Sequence, residues 1–175
     1  IKAYWLQQND AVIIEHILID SRKLLFPATT LFFALEGPRR NGNSFVEELY
    51  QKGVRNFIVN ENFNRDKLIE FKDANFLLVK DVLFALQIVT AFHRKQFTIP
   101  IIGITGSNGK TIVKEWLYQL LNNNYNIVRS PKSYNSQVGV PLSVWQINAG
   151  HTLGIFEAGI SQPDEMQRLE KIIEP

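Results

Sequence analysis

Residues 99–116, IPIIGITGSNGKTIVKEW, decide how the rest of the chain is read. They pass from an apolar strand through a glycine-bearing loop into a helix that begins at Thr111. A phosphate cradle needs that order. Small residues let backbone N–H groups point inward, and the dipole of the following helix favours an anion. A lysine must reach the β- and γ-phosphates, and a hydroxyl must face a magnesium ion. Gly106, Ser107, Asn108, Gly109, Lys110 and Thr111 supply these parts and are the candidate ATP-binding residues. The widespread spacing Gly-x-x-x-x-Gly-Lys-Thr would place a glycine at position 104, where this chain has Ile104. The loop therefore reads as a variant cradle.

Downstream, the helix carries Ile112, Val113, Trp116, Leu117, Leu120 and Leu121, which predicts one broad buried apolar face. YNIVRS (125–130) and TLGIFEAG (152–159) read as two further strands. A last helix is expected from Ser161 and Asp164, with Pro163 in its first turn and Met166, Leu169 and Ile172 on one face. Upstream, TTLFFALEG (29–37), RNFIVN (55–60) and NFLLVK (75–80) read as strands. Ser44 and Glu47 form an S-x-x-E capping box for a helix that Gly53 closes. Val82, Ala85, Leu86, Val89 and Phe92 predict another helix. Strands alternating with helices give an α/β fold with mostly parallel sheets. A small N-terminal α/β domain is expected over residues 1–97, and the start of a P-loop-type domain over 98–175.

The chain has 175 residues, of which 45% are hydrophobic and 21% charged, with a net charge of +2. That is the profile of a globular protein, and the dispersed charge argues against a nucleic-acid partner. With no cysteine, disulfides, zinc–thiolate sites and thiol nucleophiles are excluded. A cytoplasmic location is compatible with this and is the expectation. No apolar run approaches the ~20 residues of a membrane span, so no membrane insertion is expected. Ile1 and Pro175 as the two ends lead us to expect a fragment.

Other residues are candidates by position. Glu157 ends an apolar strand, at the edge where open α/β sheets bind ligands, and its carboxylate could hold a magnesium ion. A surface glutamate at a strand end is the plain alternative. Asn135, in the polar loop SYNSQ, could contact a substrate, although a turn leading to a helix started by Pro141 explains the same residues. Ser21 and Arg22 could hold a phosphate or form a turn. His16, His93 and His151 are far apart and read as surface or linker residues, and the tryptophans as packing residues.

GITGSNGKT resembles the ATP-binding loop of the Mur ligase family, a variant P-loop of the form T-G-[ST]-x-G-K-[TS]. DSRKLLFPATTLFFALEG followed by RNGNSF is similar to the family's N-terminal nucleotide-sugar domain. YNSQVGVPLSV and FEAGISQPDEM resemble the substrate loop and the strand-end glutamate motif of its MurF type. Asn41 stands where the family tends to have aspartate, Asp164 where it has glycine, and Ser133 and Ser136 where it has asparagines.

The resemblance implies an ATP- and Mg²⁺-dependent amide-forming ligase of peptidoglycan precursor synthesis. It would add D-alanyl-D-alanine to UDP-MurNAc-tripeptide through an acyl phosphate. Lys110 and Glu157 would be catalytic, Thr111 and Glu157 would serve the metal, Asn135 the substrate, and Ser21 with Arg22 the uridine nucleotide. The family further implies a carbamylated lysine, an adenine-binding segment and a third domain beyond Pro175, so these residues alone are expected to be inactive, and monomeric. A MurE-type or folylpolyglutamate-type ligase and a non-catalytic module are the alternatives, and a fused alanine racemase is an open possibility.

Overall fold

The computed structural model describes residues 2–9, 12–37 and 40–175. Two compact units divide the chain, Ile1–Ala85 and Leu86–Pro175.

In the first unit the elements are β1 (Ala3–Gln7), β2 (His16–Leu18), β3 (Thr30–Phe33), β4 (Glu36–Gly37), β5 (Arg40–Asn41), α1 (Val46–Gln51), β6 (Asn56–Val59) and β7 (Asn75–Val79). The main sheet has the order β1-β7-β6-β3-β2, parallel throughout except for the antiparallel edge pair β1–β7. TLFF, NFIV and NFLLV are apolar on both faces of the pleat, as strands covered on both sides must be. Phe57, Phe63, Phe71 and Phe76 gather in one aromatic cluster, with Phe76 stacked on Phe57 at 4.9 Å and on Phe63 at 5.2 Å.

Two local expectations fail here. TTLFFALEG does not run as one strand: β3 stops at Phe33, and Glu36–Gly37 pairs separately with Arg40–Asn41. Nor does the Ser44–Glu47 capping box form. Ser44 lies in a 3₁₀ turn and donates to Asn41 O, while Glu47 pairs with Lys67 at 2.9 Å. Asn41 Oδ1 takes over the capping by accepting from Asn43 N at 2.9 Å. An aspartate could accept the same bond, so the departure at position 41 leaves the local geometry intact.

A helix, α2 (Val82–Arg94), runs across the division. The second unit continues with β8 (Ile101–Ile104), α3 (Lys110–Leu121), β9 (Ile127–Arg129), α4 (Gly139–Val144), β10 (Leu153–Glu157) and α5 (Glu165–Ile173). The parallel sheet has the order β8-β10-β9, and central β10, LGIFE, is buried along its whole length. Val128, Val140, Val144, Phe156, Leu169 and Ile172 form the core. Residues from Leu86 onward belong to this unit, upstream of the Phe97 boundary expected from sequence. Arg94 accounts for this attachment: its guanidinium donates to Phe97 O at 2.6 Å, Ile173 O at 2.9 Å and Glu174 O at 3.0 Å.

Helical periodicity is obeyed, but not every apolar face is buried. Phe92 on α2, Ile112, Val113, Trp116 and Leu120 on α3, and Trp5 on β1 are exposed, against expectation. Helix α5 begins at Glu165, after Pro163 rather than around it. Its N-cap is Asp164 at φ +64, a left-handed conformation that aspartate tolerates better than most side chains and glycine best. His93, read from sequence as a surface residue, is packed. It stacks on Trp145 at 4.4 Å, and Nε2 lies 2.9 Å from Ile147 O.

Burial holds the His93 imidazole below its ordinary pKa of 6.5. The folded state then binds fewer protons than the unfolded chain, so the stabilisation is full above 6.5 and is lost as pH falls through the lower, folded value. The melting-temperature advantage of wild type over His93→Gln is expected to shrink as pH is lowered from above to below 6.5. A pH-independent difference would show that His93 is not buried neutral.

Candidate functional site

All three strands of the second sheet point their C-terminal ends at one place. The glycine loop follows β8, the 130–138 loop follows β9, and the 158–164 loop follows β10. Register sets Glu157 opposite Ile104, so the glutamate comes out beside the start of the glycine loop.

Within that loop Gly106 has φ +142 and Gly109 φ +78, and no heavy atom lies within 4 Å of where a Cβ on Gly109 would stand. Glycine is required at Gly109 by conformation rather than by space. It caps α3, its carbonyl accepting from Val113 N at 2.9 Å. The N–H groups of Lys110, Thr111 and Ile112 thus have no partner within the helix and open toward the loop. Lys110 Nζ reaches back to Gly106 O at 2.5 Å, which holds the ammonium over the loop.

Thr111 Oγ1 donates to Glu157 Oε2 at 3.0 Å, and Asn135 Nδ2 lies 3.5 Å from the same oxygen. Asn135 is fixed through its backbone as well, because its carbonyl accepts from Gly159 N at 2.8 Å. The candidates Lys110, Thr111, Asn135 and Glu157 therefore meet, whereas from sequence they were separate. A cleft of about 770 Å³ opens beside them, with Thr105, Lys110, Asn135, Gln137, Ser161 and Glu165 on its wall.

Sequence reasoning missed one central group. Lys114 is completely buried, as is Glu157, and its Nζ lies 2.9 Å from Glu157 Oε1. The contact is an ion pair without hydrogen-bond direction, since Oε1 has no hydrogen-bonding partner. Lys114 also donates to Ser130 O at 2.8 Å and to Lys132 O. The strong apolar pattern of α3 hid it. Its spacing was the available signal, because Lys110, Thr111 and Lys114 at i, i+1 and i+4 lie on one side of a helix. Ser130 was missed too: its Oγ accepts from Glu157 N at 3.0 Å. A third such residue, Glu165, gathers the backbone N–H groups of Ser161 (2.6 Å) and Gln162 (3.0 Å). These bonds hold its carboxyl below the usual carboxylate range.

Ser21 and Arg22 belong to the first unit. Ser21 is buried at the start of a 3₁₀ turn that Asp20 caps, and Arg22, exposed, donates to Asp20 at 2.8 and 2.7 Å. Among the described residues no group of three or more His, Cys, Asp or Glu could hold a metal, and no helix is long and apolar enough to cross a membrane.

The Mur ligase middle domain matches residues 104–175. The chain is 35% identical to UDP-N-acetylmuramoyl-tripeptide–D-alanyl-D-alanine ligase of Treponema pallidum, over 92% of this chain and 36% of that protein.

Residues 104–175 belong to the Mur ligase middle-domain family.

Solved structures agree. MurF from Acinetobacter baumannii superposes with a TM-score of 0.86 at 28% identity, covering 99% of this chain and 37% of that one. MurF from Thermotoga maritima in complex with ADP superposes with a TM-score of 0.73 at 27% identity, covering 90% of this chain and 35% of that one. The chain spans about a third of the length of these Mur ligases.

Gly139, at the start of α4, faces the 130–138 loop so closely that a Cβ would lie 3.0 Å from the Tyr134 backbone. Gly139→Ala is expected to cost about 1–3 kcal/mol, the range for overpacking, read as a lower denaturant midpoint. An unchanged midpoint would mean that the 130–138 loop yields freely.

Proposed function

We propose that these residues form the nucleotide-sugar domain and the phosphate-binding part of the middle domain of an ATP-dependent ligase that joins D-alanyl-D-alanine to UDP-MurNAc-tripeptide. One observation carries the reading: Thr111 and Glu157 in contact at 3.0 Å, at the mouth of a glycine loop and at the C-terminal end of a parallel sheet. The names of the relatives supply the substrates, and the ADP complex of the Thermotoga maritima protein supplies the nucleotide.

In this reading the loop N–H groups from Gly106 to Thr111 cradle the phosphates of ATP, and Lys110 neutralises the transferred phosphoryl group. The donors fit a magnesium ion. Thr111 offers a hydroxyl, and Glu157 offers a buried carboxylate whose Oε2 faces that hydroxyl, both hard oxygen ligands of the kind Mg²⁺ prefers. Magnesium held there would supply charge neutralisation at the phosphates.

A carboxylate oxygen of the tripeptide substrate attacks the γ-phosphorus, the bond to the ADP oxygen breaks, and an acyl phosphate forms. The amine of D-alanyl-D-alanine then attacks the acyl carbon, loses a proton, and expels phosphate. Asn135, on the cleft wall beside Glu157, orients the substrate carboxyl end. Ser21 and Arg22 serve the uridine nucleotide, as part of the N-terminal domain. The site works in the cytoplasm as part of a monomeric enzyme.

In the full-length protein, phosphate release from ATP is expected to require both UDP-MurNAc-tripeptide and D-alanyl-D-alanine, with no response to folates. Lys110→Ala is expected to lower kcat on the order of 10²–10³-fold, as for loss of one preorganised electrostatic donor. Release that is indifferent to the two substrates, or a Lys110→Ala protein with wild-type kcat, would overturn the reading. The 175-residue chain by itself is expected to release no phosphate with both substrates present.

A further inference from the structure

Helix α3 buries a lysine while exposing Ile112, Trp116 and Leu120. Desolvating an ammonium is costly, so a lysine in that position needs a compensating set of partners. Lys114 has them: Ser130 O, Lys132 O, Glu157 Oε1 at 2.9 Å and, more distantly, Glu115 Oε1 at 3.3 Å. The ammonium donates N–H bonds to the two carbonyls, while the two carboxylates compensate its charge. Glu115 also pairs with Arg129, whose guanidinium lies 3.8 Å above the Tyr118 ring, so two cations and two carboxylates balance.

Two further features tie this lysine to the site rather than to packing alone. Lys132 is in the left-handed region at φ +52, which non-glycine residues seldom adopt, and its carbonyl is one that Lys114 holds. That turn leads directly to Asn135. In addition, the two oxygens of Glu157 are divided. Oε1 faces Lys114, and Oε2 faces Thr111 and Asn135.

We propose that Lys114 is a positioning residue. It fixes the Glu157 carboxylate so that Oε2 is presented to the divalent cation that accompanies the nucleotide, and it sets the turn that carries Asn135. Lys114 itself touches neither nucleotide nor metal. The inference rests on the reading of Thr111 and Glu157 as metal-holding residues.

The test uses full-length protein. ATP affinity is measured by calorimetry with EDTA and across a Mg²⁺ titration, for wild type, Lys114→Met, Glu157→Gln and the double variant. Lys114→Met and Glu157→Gln are each expected to weaken the apparent Mg²⁺ affinity by about 10–100-fold, the usual cost of losing a group that orients a metal ligand. Metal-free ATP affinity stays unchanged, and the double variant is no worse than Glu157→Gln alone.

Wild-type Mg²⁺ affinity in Glu157→Gln would overturn the metal reading itself. Loss in Glu157→Gln but not in Lys114→Met would overturn only the positioning role. Loss of metal-free ATP binding in Lys114→Met, or an additive double variant, would show a purely structural lysine and overturn it equally. Should Lys114→Met fail to fold, Lys114→Arg carries the test. It keeps the charge in a planar fork that cannot match the ammonium's divergent partners, so Mg²⁺ affinity should again fall. An arginine variant with wild-type Mg²⁺ affinity would overturn the proposal.

Discussion

The buried ion pair between Lys114 and Glu157 governs how the second unit is organised. Both side chains are fully removed from solvent, one at the start of a helix and the other at the end of the central strand. Separating a buried pair leaves an uncompensated charge in a poor dielectric, which is far more costly than never having formed it. Helix α3, strand β10 and the 130–132 turn are therefore held to a common geometry at the point where the chemistry is proposed. The Thr111–Glu157 contact at 3.0 Å follows from that geometry, because Thr111 and Lys114 lie on one side of the same helix.

A parallel sheet supplies the frame in which such a pair is useful. Its strands end together at one edge, so the loops following β8, β9 and β10 are neighbours although they are distant in sequence. The glycines of the first loop relax the backbone there, while Asn135 and Glu165 pin the other two through bonds to backbone N–H and C=O groups. On the wall of the cleft beside them, Lys110, Gln137 and Glu165 are held by bonds to backbone groups. That is the condition for orienting a reacting carboxylate rather than merely admitting it.

The first unit relies on a different kind of stabilisation. Its sheet is supported by a cluster of phenylalanines stacked about Phe76, with no buried ion pair in the same role among the described residues. Aromatic rings bury much area with few degrees of freedom, which suits a small domain with short strands. Non-directional packing there, and directional charge pairing at the end of β10, fit the separate roles proposed for the two units.

Much of this protein was legible in the sequence by itself. Strand-like runs such as NFIV and LGIFE, the GSNGKT loop and the strand-end Glu157 pointed to an α/β architecture, a glycine loop leading into a helix and a family resemblance, because these features depend on local pattern and short-range spacing. Local signals also misled where a neighbour in space could outbid them: Ser44 bonds Asn41 instead of capping a helix, and His93 is drawn into a stack with Trp145. On α3 the apolar stripe promised the buried face, yet the buried residue is Lys114. Nothing in the helical periodicity could show this, since a lysine is buried only when oxygens from other segments surround it. Ser130, Lys132 and Glu157 are brought to Lys114 by the fold, and only the tertiary structure could decide that a charged residue would sit where the pattern called for an apolar one.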